Sequence, residues 1–147
     1  MKNVFVYIEK EGKINKKIVH RIVSLISREL RLTVSSLELN FVTSNTIKSV
    51  NKKYLRHNYS TDIITFDYST EKNNLDGEIF ISLQDSYENS KKYKVSYSKE
   101  LLRLIVHGIL HMCGYDDKTI SKKKKMKLME DDLVKRLTIF SEGLSSK

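Results

Sequence analysis

Residues 101–117 read LLRLIVHGILHMCGYDD and contain the longest strongly apolar run in the chain. The run is far too short to span a bilayer, so it predicts a helix buried inside a globular fold. Ser96 or Ser98 can cap the start of this helix, because a serine side chain accepts a hydrogen bond from the first turn. The helix is expected to end near Cys113, with Gly114 as the residue at which the chain turns away.

The segments before and after this helix predict further strands and helices. Apolar alternation or β-branched residues indicate strands at 3–9, 37–43, 62–68 and 77–83. Helices are indicated at 15–31, 84–93 and 121–138, and in a short segment from a capping Ser44 to Tyr54. This order is typical of an α/β layered domain with a four-stranded mixed sheet and about five helices. We assign residues 1–140 to a single domain and 141–147 to a polar C-terminal tail.

Length and composition favour an ordinary globular protein of the cytoplasm. A chain of 147 residues fits one domain, and 39% hydrophobic with 31% charged residues is an average balance. The opening segment MKNVFVYIEKEGK lacks the pattern of a secretory signal, and no membrane association is expected. The single cysteine, Cys113, excludes an internal disulfide and is interpreted as a small buried hydrophobe.

The net charge of +9 suggests a polyanionic partner such as nucleic acid. The 21 lysines greatly outnumber the 6 arginines, and the chain is also rich in asparagine, isoleucine and serine, which is typical of compositional drift. Charge therefore supports a nucleic-acid partner without deciding the matter.

His107 and His111 are the most informative polar residues of the apolar helix. Residues four apart lie on one helix face, so both imidazoles can point at one metal ion. After Gly114 the chain can reverse and bring Asp116 or Asp117 back over the histidine face. Two histidines and a carboxylate would leave one position of a zinc tetrahedron open for water, which indicates chemistry rather than a structural site.

The same spacing occurs in metzincin-type metalloproteases, which place a glutamate general base directly after the first histidine. Here that residue is Gly108, which has no carboxylate to accept a proton from water. Gly108 is also unfavourable inside a helix, which suggests that a strand or a substrate approaches the backbone closely there. Proteolysis is therefore the weaker hypothesis.

HGILHMCGYDD at 107–117 resembles the HGxLHLxGYDH signature of the YbeY family of bacterial endoribonucleases and rRNA maturation factors. NKKYLRHNYSTDIITFDY at 51–68 is similar to that family's N-x-x-Y-R-x-x-D-x-P-T-D-V-L-S-F segment, and GEIFIS at 77–82 to its GDIxIS strand. The resemblance implies a small α/β domain with one zinc ion held by three histidines, beside a positively charged cleft that accepts RNA.

Carried over by position, the resemblance makes His107 and His111 the first two metal ligands and Asp117 the third. A histidine-to-aspartate change at the third ligand is chemically conservative, but it lowers the charge of the metal site and predicts a weaker Lewis acid. Asp116 matches a family aspartate and is either a partner that orients a histidine or a turn residue.

The family's arginine after the tyrosine falls on Leu55, and the nearest arginine is the next residue, Arg56. Arg56 is the candidate catalytic residue, since a guanidinium can grip a phosphate and stabilise developing charge. Lys52, Lys53 and Arg56 are the candidate RNA-binding residues.

The leading hypothesis is a zinc-dependent, single-strand-specific endoribonuclease, with one zinc per chain, that acts on rRNA precursors in rRNA maturation and in ribosome assembly and quality control. The ribosome or a ribosomal protein is the expected partner, and DNA is not an expected substrate. The alternative is a non-catalytic ribosome-assembly factor with a structural metal. Another metal-dependent hydrolase is a minor alternative.

Overall fold

The computed structural model describes residues 2–9 and 12–146, and its centre is one sheet with the strand order β1-β2-β4-β3. The strands span Val4–Ile8 (β1), Thr33–Val42 (β2), Ile63–Asp67 (β3) and Asn74–Ser82 (β4). β1 and β4 both pair with β2 in parallel, whereas β3 pairs with β4 antiparallel. The sheet is therefore mixed, as the sequence predicts.

Five α-helices surround the sheet, in agreement with the sequence-based prediction. They span Lys16–Glu29 (α1), Ser44–Leu55 (α2), Leu83–Tyr93 (α3), Tyr97–Met112 (α4) and Ile120–Leu137 (α5), and a short 3-10 helix follows at Thr138–Ser141. Ser96 caps α4 by accepting a 3.1 Å hydrogen bond from the Lys99 N–H. The cap of α2 is Thr43 rather than the predicted Ser44, since the Thr43 hydroxyl accepts a 3.2 Å hydrogen bond from the Thr46 N–H.

Strands β2 and β4 both begin earlier than their apolar patterns predict. The first residues of each strand pair with one another, Thr33 with Asn74, and the Thr33 hydroxyl donates to Asn74 Oδ1 at 2.8 Å. These polar residues extend the ladder through backbone pairing and cross-strand hydrogen bonds, which a search for apolar alternation does not detect.

The main core lies on the face of the sheet that α1 and α4 cover. Its fully buried members come from β2, β4, α1 and α4, and include Leu37, Phe41, Ile79, Ile22, Ile26, Leu101 and Ile105. A smaller cluster of Val42, Ile47 and Ile64 lies beneath α2. Because α4 belongs to the main core, the position of its histidines relative to the sheet is fixed by packing.

At Gly108, α4 packs closely against the sheet. A Cβ at this position would lie 3.0 Å from Ile79 Cδ1 and 3.2 Å from Ile63 Cδ1. The close approach predicted at this glycine is therefore to strands β3 and β4. It places His107 and His111 at the edge of the sheet beside β3.

The described part of the predicted polar tail, residues 141–146, packs against the rest of the fold. Leu144 is fully buried, and its carbonyl accepts a 2.9 Å hydrogen bond from the Asn15 N–H. Ser145 forms a β-bridge with Ile14. One isolated leucine carries this packing, so the segment has no periodic pattern by which the sequence could reveal it.

Within the described residues, no helix combines the length and the apolar character needed to cross a membrane.

Candidate functional site

The second half of α4 brings both predicted histidine ligands to one cavity of about 220 Å³, which we call the histidine cavity. His107 and His111 line it together with Asp117, and the remaining walls are Ile63, Thr65 and Met126. Gly114 has a φ of +96°, so α4 ends there as predicted and the chain turns before reaching Asp117. The three residues predicted to be metal ligands therefore face the same space.

The ring of His107 is held by a buried carboxylate from α5. His107 Nδ1 lies 2.6 Å from Glu130 Oε1, and Glu130 is only 4% exposed. Arg103 Nη1 donates to the other Glu130 oxygen at 3.4 Å, and the same guanidinium binds Glu100 with two hydrogen bonds of 2.7 and 2.9 Å. Burial raises the pKa of the Glu130 carboxyl, but contacts with His107 and Arg103 outweigh burial, and the pKa is lowered overall. Glu130 is therefore an ionised acceptor for the His107 ring.

The ring of His111 has a different partner. His111 Nδ1 lies 3.1 Å from the Thr65 hydroxyl of β3. In the tautomer in which Nδ1 carries the proton, the histidine donates to Thr65 Oγ1 and its Nε2 is free to accept a metal ion.

The donor set fits a metal ion in its chemistry. Both histidines use Nδ1 for a protein partner, which leaves Nε2 of each ring as the ligand atom, and a carboxylate behind a histidine is the usual support of a metal ligand. Asp117 adds a carboxylate to the same cavity. Across residues 2–9 and 12–146, however, no three histidine, cysteine, aspartate or glutamate side chains are arranged as a metal-binding group. The three predicted ligands thus share a cavity without converging on one point.

Two roles were open for Asp116, and its contacts are those of a turn residue. Its Oδ1 accepts a 3.0 Å hydrogen bond from the Lys118 N–H, and its Oδ2 lies 3.9 Å from Lys122 Nζ. The carboxylate lines a different cavity from the histidines. The partners that orient the histidine rings are Glu130 and Thr65 instead.

A neighbouring cavity of about 280 Å³ extends from the histidine cavity toward the end of α2. The two cavities share Ile63 and Thr65 as lining residues, so they adjoin along β3. Leu55, His57 and Tyr59 form the far side of this second space, which we call the α2 cavity.

The predicted RNA-binding residues lie at the end of α2 beside this cavity. Lys52 and Lys53 are exposed in the last turn of α2, and Arg56 ends the helix with a left-handed φ of +58°. Among the described residues that line the α2 cavity, Leu55 is present and Arg56 is not. Leu55, which stands where the resemblance expects an arginine, therefore lines the cavity.

Glu130 and Thr65 are not among the site residues that the sequence predicts. Glu130 lies on the apolar stripe of α5, four residues after Met126 and three before Leu133, all of them buried. A carboxylate on a buried helix face needs a partner, and this is the signal in the sequence that indicates Glu130. Thr65 lies in a strand with no comparable signal.

Comparison with known proteins identifies the family of the chain. The family described as Endoribonuclease YbeY matches residues 6–138 of the chain. The Endoribonuclease YbeY of Azobacteroides pseudotrichonymphae genomovar. CFP2 is 39% identical over 128 residues, which cover 87% of this chain and 91% of that protein. The Endoribonuclease YbeY of Parabacteroides distasonis is 37% identical over 129 residues, or 88% of each chain.

A solved structure supports the fold independently. The solution structure of TM1509 from Thermotoga maritima superimposes with a TM-score of 0.69, at 21% sequence identity, and the match covers 98% of this chain and 95% of that one. At this identity the likeness concerns the fold alone. The length of the family match and the identity to the related proteins are decisive, and the chain belongs to the YbeY family.

Proposed function

We propose that this protein is an endoribonuclease that cuts single-stranded RNA with the help of a zinc ion in the histidine cavity, and that its substrates are rRNA precursors. The family assignment supports RNA cleavage, since related proteins that match most of this chain are described as endoribonucleases. The observation that carries the metal proposal is the pairing of His107 and His111 in one cavity, each ring held at Nδ1.

The zinc ligands in this proposal are Nε2 of His107, Nε2 of His111 and the Asp117 carboxylate. Bound zinc would supply Lewis-acid activation of water and of a phosphate oxygen. Glu130 keeps the His107 ring in the orientation and tautomer that leave Nε2 unprotonated, because a carboxylate can only accept from Nδ1, and the Thr65 hydroxyl orients the His111 ring at its Nδ1. The Asp117 side chain lies in the exposed loop after α4, so a modest change in this loop can bring the carboxylate toward the histidines.

RNA would enter along the α2 cavity. Lys52, Lys53 and Arg56 at the end of α2 are placed to contact backbone phosphates, and the overall charge of +9 favours a polyanion. Tyr59 lines the cavity and is 55% exposed, so its ring is available to stack on an unpaired base. A cleft that uses stacking in this way selects single-stranded over duplex RNA.

Work on rRNA precursors implies contact with the ribosome or a ribosomal protein during assembly and quality control, in the cytoplasm. The positive charge of the chain supports association with rRNA-rich particles.

The test is cleavage of a labelled single-stranded rRNA precursor fragment and of its duplex form by wild type, His111→Ala and Asp131→Asn. We expect wild type and Asp131→Asn to cut the single strand, because Asp131 is exposed on α5 and pairs with Lys127. His111→Ala should abolish cutting, and addition of EDTA should abolish cutting by wild type. RNA that is bound but left intact by wild type loaded with zinc would contradict the nuclease proposal and favour a non-catalytic assembly factor.

A further inference from the structure

A cavity of about 450 Å³, which we call the lysine cavity, lies on the opposite side of the loop that carries Asp117. Gly114, Tyr115 and Asp116 line the lysine cavity, whereas the next residue, Asp117, lines the histidine cavity. The two cavities have no lining residue in common. The volume of the lysine cavity falls within the range of small-molecule binding sites.

The lysine cavity carries a surplus of positive charge from two separate parts of the chain. Lys72 comes from the turn before β4, and Lys122 and Lys125 come from the start of α5. Asp116 is the single carboxylate among the described lining residues, and it already accepts the Lys118 N–H. Neither Lys72 nor Lys125 forms an ion pair with a carboxylate in the part of the chain that the structure describes.

The position of these lysines on α5 does not stabilise the helix. Residues 122–125 are all lysine, and they lie in the first turns of an 18-residue helix that has no acidic residue in its first turn. The N-terminal end of a helix carries a partial positive charge, which favours anions and disfavours cations. An anion held between this helix end and Lys72 would remove the repulsion.

The rest of the lysine cavity is apolar and suited to a flat ring. Leu30, Leu32, Cys113 and Tyr115 line it, and all four are half-buried and packed against the main core. Asn73 adds one side-chain amide, which can pair with the hydrogen-bonding edge of a base. The cavity thus combines an apolar wall for a ring, an amide, and a cationic rim.

We propose that the lysine cavity binds one nucleotide, with its base on the apolar wall and its 5′-phosphate at Lys72, Lys122 and Lys125. The bound nucleotide is one unit of the RNA strand that is cut in the histidine cavity, and this part of the proposal rests on the proposed function. Since residues 114–116 line the lysine cavity and the adjacent Asp117 lines the histidine cavity, a nucleotide in the lysine cavity also helps to fix the loop that presents Asp117.

The test is an NMR titration of the full ¹⁵N-labelled chain with uridine 5′-monophosphate and, separately, with inorganic phosphate. We expect saturable shifts of the Gly114 and Asn73 amides with the nucleotide and little shift of Gly143, which lies in the turn after the 3-10 helix. Lys122→Ala with Lys125→Ala should weaken nucleotide binding by about tenfold or more, because both lost ammonium groups line the cavity.

The matched control is Lys123→Ala with Lys124→Ala, which removes the same charge from the same exposed turns without touching the cavity lining. It should leave nucleotide affinity within about twofold of wild type, since exposed charges that do not line the cavity contribute little. Equal weakening by both double variants would overturn the site, and so would phosphate alone binding as tightly as the nucleotide.

The RNA tetranucleotide UUUU distinguishes an RNA strand from a free nucleotide. Tighter binding than the mononucleotide, with shifts at both Gly114 and the His111 ring, supports a strand that spans the two cavities. Binding no tighter than that of the mononucleotide would overturn the proposal that the bound nucleotide belongs to an RNA strand. These readouts do not depend on cleavage, so a protein that binds the nucleotide here but never cuts RNA would refute the proposed function alone.

Discussion

At the scale of single residues, His107 and His111 differ in what holds their rings. His107 faces a buried, ionised glutamate at 2.6 Å, and His111 faces a neutral threonine hydroxyl at 3.1 Å. A carboxylate partner raises the basicity of a histidine ligand more strongly than a hydroxyl does. His107 is therefore expected to be the stronger ligand, and Glu130 the most sensitive of the supporting residues.

Glu130→Gln should weaken zinc binding by about 10- to 100-fold, because the amide keeps the shape of the carboxylate but loses its charge. The measurement is competition for zinc against a chromophoric chelator. Asp131→Asn is the matched control, since Asp131 is exposed on the same helix and pairs with Lys127. Unchanged zinc affinity in Glu130→Gln would mean that Glu130 does not support a metal ligand.

Exchange of two neighbours, Leu55→Arg with Arg56→Leu, moves an arginine to the position that lines the α2 cavity at constant net charge. We expect RNA cleavage to increase by about tenfold, because a guanidinium in the cavity can stabilise charge that develops on the phosphate. Single-turnover cleavage with saturating protein measures the effect. A decrease would indicate that Arg56 already acts from its present position at the end of α2.

The sequence predicts the histidines but not the residues that hold them, for a physical reason. His107 and His111 are four residues apart, so helix geometry alone places them together. Glu130 is 23 residues from His107, and Thr65 is 46 residues from His111. Contacts over such separations depend on how α5 and β3 pack against α4, and local patterns carry no information about that packing.

At the scale of secondary-structure elements, the close approach of α4 to β3 and β4 determines the site. Gly108 permits this approach, and Thr65 can reach His111 only because β3 lies directly beneath the helix. Most of the elements themselves are predictable from apolar periodicity, although α3 is a largely polar segment. Their polar ends are not, as the Thr33–Asn74 pairing at the start of β2 and β4 illustrates.

Gly108→Ala should destabilise the protein by about 1 kcal/mol, because overpacking against Ile79 and Ile63 outweighs the better helix propensity of alanine. Zinc affinity should fall as well, since the histidines move away from β3. Urea unfolding measures the first effect and chelator competition the second. Ser49→Ala, an exposed change to alanine in α2, controls for helix propensity and should not lower stability. A Gly108→Ala protein as stable as wild type would contradict the close packing of α4 on the sheet.

At the scale of the complete fold, the C-terminal segment is tied back to the segment between β1 and α1. Leu144 is fully buried beside the segment that leads into α1, and Ile14 bridges Ser145. A boundary drawn after residue 140 from composition alone separates residues that the fold keeps together.

Leu144→Ala should lower the free energy of unfolding by about 2–5 kcal/mol, as expected for a large-to-small change in a packed core. Ser146→Ala, two residues further and exposed, should change it little. Urea denaturation of both variants gives the comparison. Equal stability of the two variants would show that the end of the chain contributes nothing to the core.

Elemental mass spectrometry of untagged protein shows whether His107, His111 and Asp117 hold one metal ion. The variants are His111→Ala, Asp117→Ala and the neighbouring control Asp116→Ala. We predict about one zinc per chain in wild type and Asp116→Ala, and loss of zinc from the other two. Zinc retained in Asp117→Ala, or absent from wild type after incubation with zinc and gel filtration, would contradict the three-ligand site.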